Sequence, residues 1–392
     1  MTPKHFIFFV CLLANLAAWA SPSDSVIFQV ENCYGYYGYI KTNGEYLIEP
    51  QFDYAKPFSA NGLAVVRIKD KYGYIDKTGK RVIEPQFDWA EDFHFENGLA
   101  AIEINGKYGF IDKTGKMVIE PQYVNLMSVP LQKFDGIHVL NKDWNSDTTV
   151  FIDERTGKIT TITSFTVMTF FSEGLTVISQ KLKYGYADST GTIVIKPNSK
   201  YQHLGDFSEG LAAVRIKHKY GYINKKGKLV IKPDYDWVGN FSNGRAKVLE
   251  NDKYGYIDKT GKIVIQPQFD DAIDFADNGL AWVRIDNKYG AINTIEDMVI
   301  EPQFDEITNF TKNNLACAKI DGKWGIIDRT GNWVLKPQIL SLPTIVGNYI
   351  IVEDSMFYYG IMDLTGKYVL EPTNKYKIYP PLREYFETDI DY

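Results

Sequence analysis

Histidine, methionine and cysteine are scarce in this chain, at 5, 7 and 3 of 392 residues. Beyond residue 20 the histidines are His94, His138, His203 and His218, and none lies at a zinc-type spacing from another His or Cys. Positive charge is not in excess either. Lys and Arg number 43 against 49 Asp and Glu, a formal charge of −6, which disfavours a nucleic-acid-binding face. Long apolar runs are missing after the first twenty residues, so no later stretch reads as a membrane span. What the chain does have is rings: 27 Tyr and 23 Phe bring the aromatic share to 15%, a composition that leans towards strands. A hydrophobic share of 45% is enough for a sizeable core.

Residues 1–20 read as a secretory signal peptide. Lys4 and His5 precede the apolar run Phe6–Ala18, and Ala18 and Ala20 put small residues at −3 and −1 of a cleavage site. Phe9 and Val10 before Cys11 do not fit a lipoprotein-type box. A mature chain from Ser21 loses Lys4, leaving 42 basic and 49 acidic residues, a charge of −7, and keeps Cys33 and Cys317. Export would permit oxidation. The two lie in the first and ninth repeat units, however, so a bridge would need the ends of the array to meet within the short Cα–Cα reach of a disulfide. Free thiols are the expectation.

An aromatic-Gly pair recurs at Tyr37-Gly38, Tyr72-Gly73, Tyr108-Gly109, Tyr184-Gly185, Tyr220-Gly221, Tyr254-Gly255, Tyr289-Gly290, Trp324-Gly325 and Tyr359-Gly360. Each time a Pro follows twelve residues after the Gly, from Pro50 and Pro85 to Pro337 and Pro372. The double gap between Gly109 and Gly185 holds a degenerate copy, with Val150 in the Gly place and Ile162 in the Pro place. That makes ten units of roughly 35 residues, the signature of a repeat architecture.

Within a unit the pattern is that of strands. Asn61–Ile68 alternates in period two; a polar link and the alternating Tyr72–Asp76 follow. Asp76 and Gly79 then fit a type I turn with a Gly free to take positive φ. Arg81–Pro85 reads as a third strand that should end at its Pro or run along an edge. The stretch Gln86–Phe93 leads through a loop, with a short fourth strand, into the next unit. The Gly after the ring marks a close approach of another backbone or ring. At the Arg67 position the other units carry Glu103, Ser179, Arg215, Leu249, Arg284 and Lys319, a mixture that suggests a solvated face.

A lone hairpin is marginal in water, so stacking between units must supply the stability. The expected fold is all-β: a tandem array of ten antiparallel units over residues 21–376, degenerate at 122–172, with a cap or tail at 377–392. Its favoured form is an open twisted solenoid or superhelix. The alternative is a propeller-like closure, in which the opening strand Ser25–Val30 completes the last unit.

The stretch Lys253–Ile285 carries the aromatic-Gly pair, a D-x-x-G-K turn, V-I-x-P and F-x-x-G-L-A together, and it resembles the WG (KWG) repeat family. The likeness covers roughly residues 26–376. The usual Trp is mostly Tyr here and survives at Trp324; Glu296 replaces a turn Gly. The resemblance implies a bacterial, β-rich repeat protein, often exported, and implies no shared catalytic residues.

The Gly-Lys at Gly79-Lys80 does not make a phosphate loop: five residues, not four, separate it from Gly73, and Arg81 follows where Ser or Thr is needed. No Ser nucleophile motif is present. Asp76, Asp112, Asp188, Asp258, Asp328 and Asp363 recur because the turn wants them, so they nominate no acid/base pair. Asp143, Asn145, Asp147 and Glu154 fall at calcium-loop positions 1, 3, 5 and 12, but Thr148 stands where the sharp turn needs Gly. An acidic inter-strand loop is the expectation, with no cofactor or metal. The functional expectation is a non-enzymatic exported protein in the periplasm, at the cell surface or outside the cell. It would bind a protein or an envelope polysaccharide along its repeated surface, not nucleic acid and not a membrane interior. The alternatives are a hydrolase-like enzyme with a groove between units and a purely structural envelope protein. A specific contact would sit in the fourth unit, which escapes the repeat constraint, but simple decay of that unit is the favoured explanation.

Overall fold

The structure, a computed structural model, describes residues 26–379 except 60, 94–97, 124, 128–136, 142–148, 154–157, 163–164, 170 and 374. Every element in it is a strand, and the strands form ten four-stranded antiparallel sheets. The first sheet opens with β1 (Ile27–Asn32), β2 (Tyr37–Lys41) and β3 (Tyr46–Phe52). The second shows the repeating plan: β4 (Tyr54–Ala55), β5 (Leu63–Ile68), β6 (Lys71–Asp76) and β7 (Arg81–Phe87), adjacent in that order. The short fourth strand thus belongs to the sheet of the unit that follows it.

Local chemistry sets each connection. β5 and β6 are joined by Lys69 and Asp70, both at positive φ (49° and 63°). This is the mirror-image turn whose twist suits a two-residue hairpin. Between β6 and β7, Asp76 Oδ1 accepts hydrogen bonds from the Thr78 amide, the Thr78 hydroxyl and the Lys80 amide, while Gly79 takes φ +82°. The expected turn is present.

The recurring Gly and Pro prove to be two halves of one contact. Tyr72 pairs with Phe87 and Tyr74 with Ile83, so Glu84, Pro85 and Gln86 bulge opposite the single residue Gly73. A Cβ on Gly73 would lie 2.6 Å from the Ile83 carbonyl oxygen and 2.7 Å from the Pro85 nitrogen. Proline has no N–H to strand at the bulge. The strand therefore does not end at its Pro but continues along the sheet edge to Phe87. In the fourth unit, where Val150 and Ile162 replace the pair, strands Thr149–Asp153 and Lys158–Ile162 run in unbroken register.

Neighbouring sheets share their cores. Tyr74 is buried between sheets; its ring lies 4.6 Å from that of Phe93 and its hydroxyl donates to the Glu91 carbonyl at 2.6 Å. Tyr39, Tyr222 and Tyr256 make the same bond to Lys56, Gly239 and Ile273. Where Ala291 takes the Tyr place, its cross-strand neighbour Trp282 fills the space and stacks on Phe310, centroids 5.0 Å apart. Outside the core, Asp88 pairs with Lys71 of its own unit and accepts from the Asn105 amide in the next. Such exposed ion pairs add at most about 1 kcal/mol each.

The array closes. β1 pairs antiparallel with the last strand, Tyr376–Tyr379, placing Val30 opposite Ile378. Phe28, Val30 and Ile40 of the first sheet share one core with Val346, Ile351 and Ile361 of the tenth, and the Tyr379 hydroxyl donates to Glu31 Oε2 at 2.6 Å. The tandem all-β array of ten units is as expected. In place of the open superhelix it takes the closed alternative, because the first sheet has three strands of its own and an unpaired edge that the last strand fills. The start of the segment expected as a cap is thus a structural strand.

Candidate ligand-binding face

The calcium-loop set, Asp143, Asn145, Asp147 and Glu154, lies outside the described residues, as do the signal segment 1–20 and the side chains of the fourth unit's strands. Among the described residues, no group of three or more His, Cys, Asp or Glu could hold a metal ion, and no helix is long and apolar enough to cross a membrane. Among the described residues both cysteines are free: Cys33 is exposed on the tip between β1 and β2, and Cys317 is buried. Burial pushes the Cys317 thiol up to about 12, which makes it inert at neutral pH.

One face of the sheets carries an arc of rings; Tyr72, Tyr220 and Tyr289 are half-buried, and Trp324 is buried. Because β5 and β6 place Arg67 opposite Tyr72, the guanidinium lies over the Tyr72 ring, 5.9 Å from its centroid. The arrangement recurs as Arg215 over Tyr220, Arg284 over Tyr289 and Lys319 over Trp324. Further rings fill the intervals, with centroid spacings of 6.2 Å for Tyr379–Tyr37, 5.6 Å for Tyr37–Tyr54 and 6.1 Å for Tyr54–Tyr72. The position read as solvated is therefore only half exposed: the cation packs on its cross-strand ring. The Nε atoms of Arg67, Arg215 and Arg284 are buried and have no protein acceptor.

Within this face a cavity of about 430 Å³ opens among the fifth to eighth units. Its floor comes from one position in four successive units, Thr169, Asp206, Asn240 and Asp274; its walls include His203, Tyr220 and Trp237. Two glycines let neighbouring side chains come close at its lining: an added Cβ would lie 3.3 Å from the Ala213 Cβ at Gly205 and 2.7 Å from Asp274 Oδ1 at Gly239. Gly205 and Gly239 stand where the second, third and eighth units carry Lys56, Glu91 and Ile273. Lys247 occupies a place that is Val65 or Ala213 elsewhere. Its ammonium donates to the Ala272 carbonyl at 2.7 Å, 5.1 Å from the Trp237 ring centroid.

Burial raises the pKa of the Asp206 carboxyl, against a hydrogen bond from Thr169, and its Oδ1 has no protein donor. Burial, then the charge of Arg215, lowers that of the His203 imidazole, so it is neutral at pH 7. Sequence reasoning missed this cavity; the one place it considered for a specific contact was the fourth unit, which it preferred to read as a decayed copy. The available signal was small: two glycines and a lysine where neighbouring units carry other side chains.

A family model described as "WG containing repeat" matches residues 37–72, 72–108, 108–128, 184–220, 220–254, 254–289, 289–324 and 324–353. No curated protein matches the chain. Among solved structures, one described as a eukaryotic initiation factor has 13% identity and a TM-score of 0.50, over 92% of this chain and all of that one. BamB from Moraxella catarrhalis has 10% identity and a TM-score of 0.37, over 70% of this chain and 98% of that one. At these identities the first likeness bears on the fold alone, and the second carries no argument.

Proposed function

This chain belongs to the WG containing repeat family, and from that premise we propose that it is an exported, non-enzymatic binding scaffold that takes an extended partner, a protein or a cell-envelope glycan, across its arc of rings. The observation that carries this reading is the recurrence of one cation on one ring: Arg67–Tyr72, Arg215–Tyr220, Arg284–Tyr289 and Lys319–Trp324. Catalysis needs a unique set of groups in one place. A contact repeated in the second, sixth, eighth and ninth units suits a partner that touches the surface at several separated points, because each further contact is made at high effective concentration. The half-buried Tyr rings give such a surface an apolar face with a polar tip, and the cation holds the ring in place. Export rests on the reading of residues 1–20.

The test is capture of partners from envelope extract by the protein beginning at Ser21, compared with a triple variant Arg67→Ala, Arg215→Ala, Arg284→Ala. Capture should fall at least tenfold in the triple variant while its melting temperature stays within a few degrees. Undiminished capture by the folded triple variant would remove the arc from the function.

A further inference from the structure

We propose that the cavity among the fifth to eighth units is a subsite for one neutral sugar residue, the end or a branch of a glycan chain. The proposal rests on the scaffold reading and narrows its partner to a glycan. The cavity is formed by departures from the repeat, not by loose packing. An added Cβ at Gly239 would lie 2.7 Å from Asp274 Oδ1, so the glycine is what lets that carboxylate approach and line the cavity, and the volume of about 430 Å³ falls within the range of small-ligand clefts, roughly 300–1,000 Å³.

Its chemistry selects among ligand classes. Asp206 Oδ1 is a buried acceptor without a donor, and leaving it so is unfavourable. A hydrocarbon would seal that oxygen off unsatisfied. An anion would be repelled, because the cavity's charged groups are two carboxylates, Asp206 and Asp274, against the single ammonium of Lys247. A divalent cation has too few ligands here. Hydroxyl groups satisfy the site: they donate to Asp206, and they accept from the Asn240 amide and the Lys247 ammonium. Trp237, 39% exposed, and Tyr220 add the flat apolar walls against which the C–H face of a pyranose packs. His203, neutral at pH 7, adds a donor or acceptor without charge.

The experiment is calorimetric titration of the protein beginning at Ser21 with methyl glucoside, methyl galactoside, N-acetylglucosamine and maltotriose, with glucuronate as the anionic control. At least one neutral probe should bind, and glucuronate at least tenfold more weakly. Trp237→Ala and Asp206→Ala should each weaken the neutral probe at least tenfold, and Gly239→Val should abolish it, with each variant's melting temperature confirming the fold. If no neutral probe binds the wild type, or binding survives Gly239→Val, the subsite is overturned. Envelope capture measured on the same Gly239→Val protein separates the two ideas. Capture that persists there while it is lost in the triple arginine variant leaves the scaffold standing without the subsite.

Discussion

A methyl group on Gly73 would meet a carbonyl oxygen and a proline nitrogen at once, both backbone atoms that cannot step aside. Gly73→Ala should therefore destabilise the protein by about 3 kcal/mol, the upper end of the 1–3 kcal/mol typical of an overpacked core site. Gly62→Ala, at φ +83° with nothing within 4 Å of the added carbon, should cost only about 1 kcal/mol; denaturant midpoints of the two variants check the contrast. Asp92 is the other informative residue. Its side chain is 12% exposed, with the Lys56 ammonium 3.7 Å away. Burial outweighs that cation, and neighbouring Glu91 adds to it, so the carboxyl is pushed up to about 6. The folded state then holds its proton more tightly than the unfolded chain does, and the wild type gains stability as pH falls from above 6 towards 4. Asp92→Asn, uncharged throughout, should be more stable than wild type by up to about 3 kcal/mol at pH 7.5. The difference should vanish near pH 4, as melting curves across that range will show. Turn carboxylates such as Asp258, held low by the Thr260 hydroxyl, act with the opposite sign but equally in both proteins. Of these two residues the sequence exposed only the first. The glycine recurs with its proline at a fixed offset, whereas Asp92 shares its position with Pro57, Asp206 and Asn240, and nothing local marks it as buried.

Strands and turns were legible for a physical reason: β5, β6 and β7 each alternate, and the Asp-x-Thr-Gly link has a hydrogen-bonding logic of its own. The two-residue strand Tyr54–Ala55 was barely legible, because two residues cannot display a period. Its membership in the following sheet depends on pairing with Val66 and Arg67, which no pattern in that stretch encodes. The cavity was hidden for the same reason, since its lining is gathered from four successive units, between Thr169 and Asp274, and no single stretch shows it. One turn breaks the rule of its element. Glu296 sits at φ 74° where its counterparts are glycine, a conformation that costs a side-chain-bearing residue roughly 1–2 kcal/mol. Part of this is offset by its carboxylate, which accepts from Gln268 Nε2 at 2.7 Å in the preceding unit. Glu296→Gly should raise stability by about 0.5–1 kcal/mol, visible as a higher thermal midpoint; a lower midpoint would mean that the bond to Gln268 outweighs the strain.

For the whole molecule, the number of units could be counted in the sequence, but their closure appeared there only as an alternative. The partners that close it, Glu31 and Tyr379, are 348 residues apart, and no local signal reaches that far. Truncation after Thr373 removes the closing strand and bares Phe28 and Val30, both fully buried in the intact chain. The truncated protein should melt several degrees lower and expose β1 and β2 to fast amide exchange first, while the fifth to eighth units keep their protection. Uniform loss of protection across all ten sheets would mean that the ring unfolds as one cooperative body.

The pairing of β1 with the final strand also bears on how such a chain can change over generations. An open array gains or loses a unit at little cost, because each repeat answers only to its neighbours. Here every unit subtends a share of one closed circuit. Inserting or deleting a single copy would either force a new angle at every junction or leave the two ends unable to meet. Point substitution within units leaves the circuit intact, and so remains the open route by which the surface of such a chain can change.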